Sequence, residues 1–133
     1  MLVDDDKEVR EALGQTLELA GLEPVLAASF VVAKDHITPL FDGVIVTDVR
    51  MPGRDGFHLL TYAQEHDSAL PVILLTGEAD VPLAVKAMNE GAHAFLEKPC
   101  APADLTEAVT QALAQRRDIL EARAAKQKQD NGD

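Results

Sequence analysis

Leu2-Val3-Asp4-Asp5-Asp6 is a short apolar run closed by three acids, and its pattern recurs along the chain. Gly43-Val44-Ile45-Val46-Thr47 ends on a carboxylate, Asp48. Val72-Ile73-Leu74-Leu75 ends on the hydroxyl of Thr76, and Ala94-Phe95-Leu96-Glu97 ends on the ammonium of Lys98, followed by Pro99. Apolar runs of this length, separated by helical segments, read as strands of a parallel sheet covered on both faces. Such sheets gather function at the carboxyl ends of their strands. The pattern therefore predicts an α/β chain in which four strand ends meet in one pocket, holding three or four carboxylates, one hydroxyl and one lysine.

Crowded carboxylates repel, and the proton or cation that relieves the repulsion is usually part of the chemistry. A hard divalent ion with oxygen ligands, magnesium before zinc, suits such a set. A lysine opposite the metal offers a point charge for a second anion, and a phosphoryl group fits that description.

The rest of the chain supplies the helices. Val9, Leu13, Leu17 and Ala20 form one stripe of a first helix over 7–20, stopped by Gly21, a residue that accepts the left-handed conformation. A second strand is expected over 24–28, with Ser29 capping a helix that ends before Pro39. A third helix is expected from Gly56 to about His66. A fourth starts at Val81-Pro82 and turns Val85 and Met88 inward, and a fifth starts near Pro102 with Leu105, Val109 and Leu113 on its apolar stripe. Alternation of strand and helix with short connections argues one parallel sheet.

The acidic cluster with Val9 and Arg10 behind it, Asp48-Val49-Arg50-Met51-Pro52-Gly53-Arg54-Asp55-Gly56, Thr76-Gly77 and Lys98-Pro99 together resemble the receiver domain of bacterial two-component response regulators. The resemblance covers residues 1–117 with every motif in order. It implies a flavodoxin-like (CheY-like) doubly wound sheet of five strands in the order 2-1-3-4-5. It also implies that Asp48 accepts a phosphoryl group from a sensor histidine kinase, and that Asp4, Asp5, Asp48 and the backbone carbonyl of Arg50 hold magnesium, with manganese as a substitute. Thr76 and Lys98 would contact the phosphoryl oxygens. By the same resemblance Arg50 and Glu78 tune hydrolysis of the acyl phosphate, Thr76 and Phe95 act as the switch, and Lys98-Pro99 is cis. Such a domain promotes only its own phosphorylation and dephosphorylation. It is not a turnover enzyme.

Several residues keep a plainer reading alongside. Asp6 sits where the first helix begins and is equally a cap. Phe95 is equally a core residue. His36, His58, His66 and His93 lack metal spacing and read as surface or packing residues, and Cys100 as a small buried one. Two other functions share features with the chain. Asp4-Asp5-Asp6 contains the Asp-x-Asp of haloacid-dehalogenase-type phosphohydrolases, but Glu8 stands where that family wants Thr or Val, and no late acidic pair follows on a strand end. A phosphate-independent pseudo-receiver is disfavoured because the pocket looks complete. Two features depart from the receiver pattern. Only three residues precede the acids, so the central strand is expected to be weakly anchored and the start trimmed or reassigned, and Cys100 replaces the usual phenylalanine.

With 12 Lys and Arg against 23 Asp and Glu, the formal charge of -11 argues against a direct nucleic-acid surface, which needs a basic footprint. A single cysteine excludes an internal disulfide, and no stretch has the length of a membrane span or the form of a secretory signal, which makes the cytoplasm the expected compartment. Thr16-Leu17-Glu18-Leu19-Ala20-Gly21 and the segment from Thr76 to Val85 resemble receivers of NtrC/DctD-type activators, although receivers joined to helix-turn-helix outputs share the second segment. The expected partner within the polypeptide is therefore an output domain, either an AAA+ ATPase with DNA binding or a helix-turn-helix. Residues 118–133 read as a helical linker and disordered tail towards it. The fifth helix is expected to reach about Ala125 and either to pair with its twin in a homodimer or to end as a frayed, solvated helix, since its stripe is short and basic for a coiled coil.

Overall fold

The structure, a computed structural model, describes residues 1–77 and 81–131, with side chains to Lys126. Strands and helices alternate: β1 (Leu2–Val3), α1 (Lys7–Leu19), β2 (Leu26–Ala27), α2 (Phe30–His36), β3 (Ile45–Asp48), α3 (Gly56–His66), β4 (Val72–Thr76), α4 (Val81–Asn89), β5 (Ala94–Glu97) and α5 (Pro102–Asn131). The strands are parallel and ordered β2-β1-β3-β4-β5, the flavodoxin-like arrangement the resemblance implied.

Period-two alternation along the strands feeds two apolar layers. Val3, Ile45, Val72 and Leu74 face the side covered by α2, α3 and α4, while Leu2, Val46, Ile73 and Leu75 face α1 and α5. Leu2, Ile45, Ile73, Leu74 and Leu75 are fully buried. Each such side chain contributes about 2 kcal/mol relative to exposure.

β1 is short but firmly paired on both sides, contrary to the expectation of a weak anchor. The Leu2 amide donates to Val25 (2.7 Å) and the Asp4 amide to Ala27 (3.1 Å), while the Val46 amide donates to Met1 (2.8 Å). The Met1 ammonium donates to the Val44 carbonyl at 2.6 Å, and burial pushes its pKa down to about 6. Backbone pairing beyond the two strand residues supplies what the short apolar run does not.

Other expectations need correction. On α1, Leu17 is buried but Ala20 is exposed, and Gly14 takes the inward place against Leu26. Gly21 ends the helix at φ +84° as expected. On α4, Val85 and Met88 are about half exposed, and the helix instead seats Ala87, with Leu83 and Ala84 half-buried beside it. Both stripes have helical spacing, so periodicity alone could not choose between them, and the smaller residue faces the core. On α5, the buried face runs through Leu105, Val109, Ala112 and Arg116, with Leu113 to one side. The helix continues to Asn131, past the expected end near Ala125, and the last residues of the expected disordered tail, 132–133, lie outside the described residues.

Candidate functional site

The carboxyl edge of the sheet brings the strand ends together. Asp4, which follows β1, is buried at 1% exposure, Asp48 closes β3, Thr76 closes β4, and Lys98 follows β5. The Lys98 ammonium lies 3.2 Å from Asp4 Oδ2 and 3.4 Å from Asp48 Oδ2. Asp5 is exposed at the mouth, and among the described residues Asp4, Asp5 and Asp48 form a group whose ligand oxygens all lie within 4.8 Å of one another. The donor set is oxygen only. Three carboxylates against one ammonium leave a formal surplus of two negative charges, so the residues present fit a hard divalent cation.

Local chemistry fixes each group. Asp4 Oδ1 accepts the Asp6 amide (2.9 Å), and Arg10 Nη1 donates to the Asp4 carbonyl (2.7 Å), which ties α1 to the loop carrying both acids. Asp6 caps α1 by accepting the amides of Glu8 and Val9 at 2.9 and 3.3 Å. Its carboxylate is spent there, which resolves its two readings in favour of the cap. Behind Asp48 the chain folds back so tightly that a Cβ on Gly56 would sit 2.5 Å from the Asp48 carbonyl oxygen. Only glycine tolerates that approach. Asp55 caps α3, and His58 completes a capping box with it. Glu or Gln normally fills the third position of that box, so the sequence did not disclose it.

Burial pushes the Asp48 carboxyl above its ordinary pKa and the neighbouring Asp4 adds to the shift; Lys98 and the Arg50 amide oppose it without cancelling it. Burial alone would lower Lys98, but Asp48 and Asp4 hold its ammonium above the usual value. The Lys98 amide donates to the Thr76 carbonyl at 2.6 Å, and the Lys98-Pro99 bond is cis. Thr76 is 1% exposed. Phe95 is half-buried against the α2–α3–α4 layer. Arg50 is exposed, and Glu78 lies outside the described residues. Cys100 is half-buried against the opposite layer. A surface groove of about 810 Å³ lies elsewhere, between α1 and α5 around Thr16, Leu19 and Thr106. It contains none of these groups.

The model of the response regulator receiver domain family matches residues 1–110. The C4-dicarboxylate transport transcriptional regulatory protein DctD of Pseudomonas aeruginosa is 49% identical over 126 residues, covering 92% of this chain and 27% of that protein. The transcriptional regulatory protein FixJ of Azorhizobium caulinodans is 46% identical over 112 residues, covering 84% of this chain and 53% of that protein. Among solved structures, the beryllofluoride-activated NtrC4 receiver domain dimer superposes with a TM-score of 0.80 at 35% identity, covering 86% of this chain and 95% of that one. The chain thus spans about a quarter to a half of the curated regulators it matches, in each case with most of its own length. On that match the chain belongs to the response regulator receiver domain family of two-component signalling.

Proposed function

We propose that Asp48 is the phosphoacceptor of this domain. The observation that carries the reading is the meeting of Asp48, Asp4 and Lys98 within 3.4 Å of the lysine ammonium, with Asp5 at the mouth. Asp48 Oδ would attack the phosphorus of a phosphohistidine on a sensor kinase, the phosphorus–nitrogen bond would break, and the histidine nitrogen would keep the electron pair. Phosphoryl transfer asks the protein chiefly for placement and charge compensation. Lys98 and the Thr76 hydroxyl would compensate charge on the phosphoryl oxygens. Magnesium, or manganese in its place, held by Asp4, Asp5, Asp48 and the Arg50 carbonyl, would supply the remaining positive charge.

Further roles rest on the family. Arg50 and Glu78 would set the lifetime of the acyl phosphate, and Thr76 with Phe95 would report it to α4 and α5. The output would be a transcription-regulating domain in the same polypeptide, as the names of DctD and FixJ suggest for those proteins. A cytoplasmic homodimer is the expected setting. The dimeric state of the beryllofluoride-activated NtrC4 receiver supports it by analogy, and among the described residues no helix is long and apolar enough to cross a membrane. A dehalogenase-type hydrolase would need Asp6 in the pocket, whereas Asp6 caps α1. Incubation with acetyl phosphate and magnesium should add one phosphoryl group to the parent and none to Asp48→Asn. Undiminished labelling of that variant rejects the assignment.

A further inference from the structure

The last helix is longer than its burial accounts for. Among residues 117–126 only Ile119 and Leu120 are even half-buried, and residues 121–126 are all exposed. The packed first half of α5 supplies the helix nucleus, but residues 117–126 bury little of their own, so a tertiary tie decides how firmly the extension is held. The tie lies at the amino edge of the sheet. Asp67, the residue after α3, receives both arms of Arg123: Nη1 donates to Oδ2 at 2.8 Å and Nη2 to Oδ1 at 2.9 Å. Oδ1 also accepts the Ala69 amide at 3.0 Å.

Arg116 lies two turns earlier on the same helix face and is buried at 3% exposure. Its Nη1 stands 2.8 Å from Asp67 Oδ2, and its Nη2 donates to the Phe41 carbonyl at 3.2 Å. Its Nε and Nη1 have no aligned hydrogen-bond acceptor, so this ion-pair contact with Asp67 supplies the compensation for a buried guanidinium. One carboxylate therefore holds a buried and an exposed arginine on one helix. An isolated exposed ion pair contributes little, but a bidentate pair within a charge network is the exception.

We propose that Asp67 is a latch that fixes the extension of α5 to the body of the domain. Through Arg123 it gives residues 117–131 a set direction, and whatever follows them inherits that direction. The latch sits at the opposite edge of the sheet from the acidic cluster and uses none of its residues. It stands or falls independently of the phosphoacceptor reading.

Hydrogen exchange followed by mass spectrometry tests it on the full chain. Arg123→Gln keeps the Arg116–Asp67 contact and the fold. It should speed exchange in peptides from 117–131 by about threefold or more, the factor an exposed pair in the middle of its usual range gives to a local opening equilibrium. Peptides from β3 and β4, and labelling by acetyl phosphate, should not change. Asp67→Asn should loosen the same peptides at least as much. Should that variant fail to fold, Arg123→Gln decides alone, and a smaller change in the 117–131 peptides of Arg123→Gln overturns the proposal.

Discussion

Asp48 and Asp67 are both aspartates set beside cations at opposite edges of one sheet, and their surroundings move them in opposite directions. At the carboxyl edge a single ammonium faces Asp48 and Asp4 while Asp5 stands nearby, and burial leaves Asp48 above the ordinary carboxyl range. At the amino edge the Arg123 guanidinium, with the Ala69 amide and Arg116 behind it, holds Asp67 well below that range against the opposing effect of burial. The first site has more negative charge than the chain itself compensates. The second is satisfied by the chain alone. An under-compensated cluster is ready for a cation and a transferable anion, whereas a saturated one can only hold structure.

Removing the saturated carboxylate should produce the largest effect. Asp67→Asn leaves the buried Arg116 without its counter-ion, and breaking a buried pair costs about 3–5 kcal/mol; partial exposure of Asp67 places the loss near 3 kcal/mol, or roughly 10 °C in the thermal midpoint. The pH dependence has a definite sign. A carboxyl whose folded pKa is depressed contributes stability that is present above its unfolded pKa, about 3.9, and is lost as pH falls through the folded value. The gap in midpoint between parent and Asp67→Asn should therefore hold constant from pH 7 to about 5 and narrow below about 4. A gap that stays constant down to pH 3 would break the comparison from the side of Asp67.

Magnesium should act at one edge only. Ligand bound only to the folded state stabilises by mass action, about 2.7 kcal/mol at a hundredfold excess over Kd. The parent and Arg123→Gln should gain equally in a thermal melt with magnesium. Asp5→Asn should lose most of the gain and, in chelator, melt above the parent as like-charge repulsion is relieved. If Asp5→Asn melts lower in chelator and still responds to magnesium, the three carboxylates do not share a site.

The two edges were not equally legible in the sequence. Asp48, Thr76 and Lys98 each close an apolar run, so position along the chain alone places them at one edge, and the strand order brings Asp4 among them. Asp67 has no such marker. It resembles any acid in the turn after a helix, and its partner Arg123 lies 56 residues away on a face that no apolar stripe announces. The buried seam of α5 ends in Arg116, a residue type that hydrophobic patterning assigns to solvent. On α4 the larger Val85 and Met88 pointed to the wrong stripe, because size and spacing say nothing about how closely a helix approaches its sheet. The pairing that anchors β1 is backbone to backbone, which side-chain patterns do not record.

The most direct test of the contrast is the thermal midpoint of Asp48→Asn in chelator at pH 7. A carboxyl with a raised folded pKa is one whose charge the fold disfavours. That instability is present above the folded pKa and disappears as pH falls through it. Replacing the charge with a neutral amide of the same shape should therefore raise the midpoint, by about 1 kcal/mol or a few degrees for a chain of this size, and abolish the gain from magnesium. A variant that melts below the parent would show that the ionised Asp48 stabilises the fold as Asp67 does, and would contradict the account.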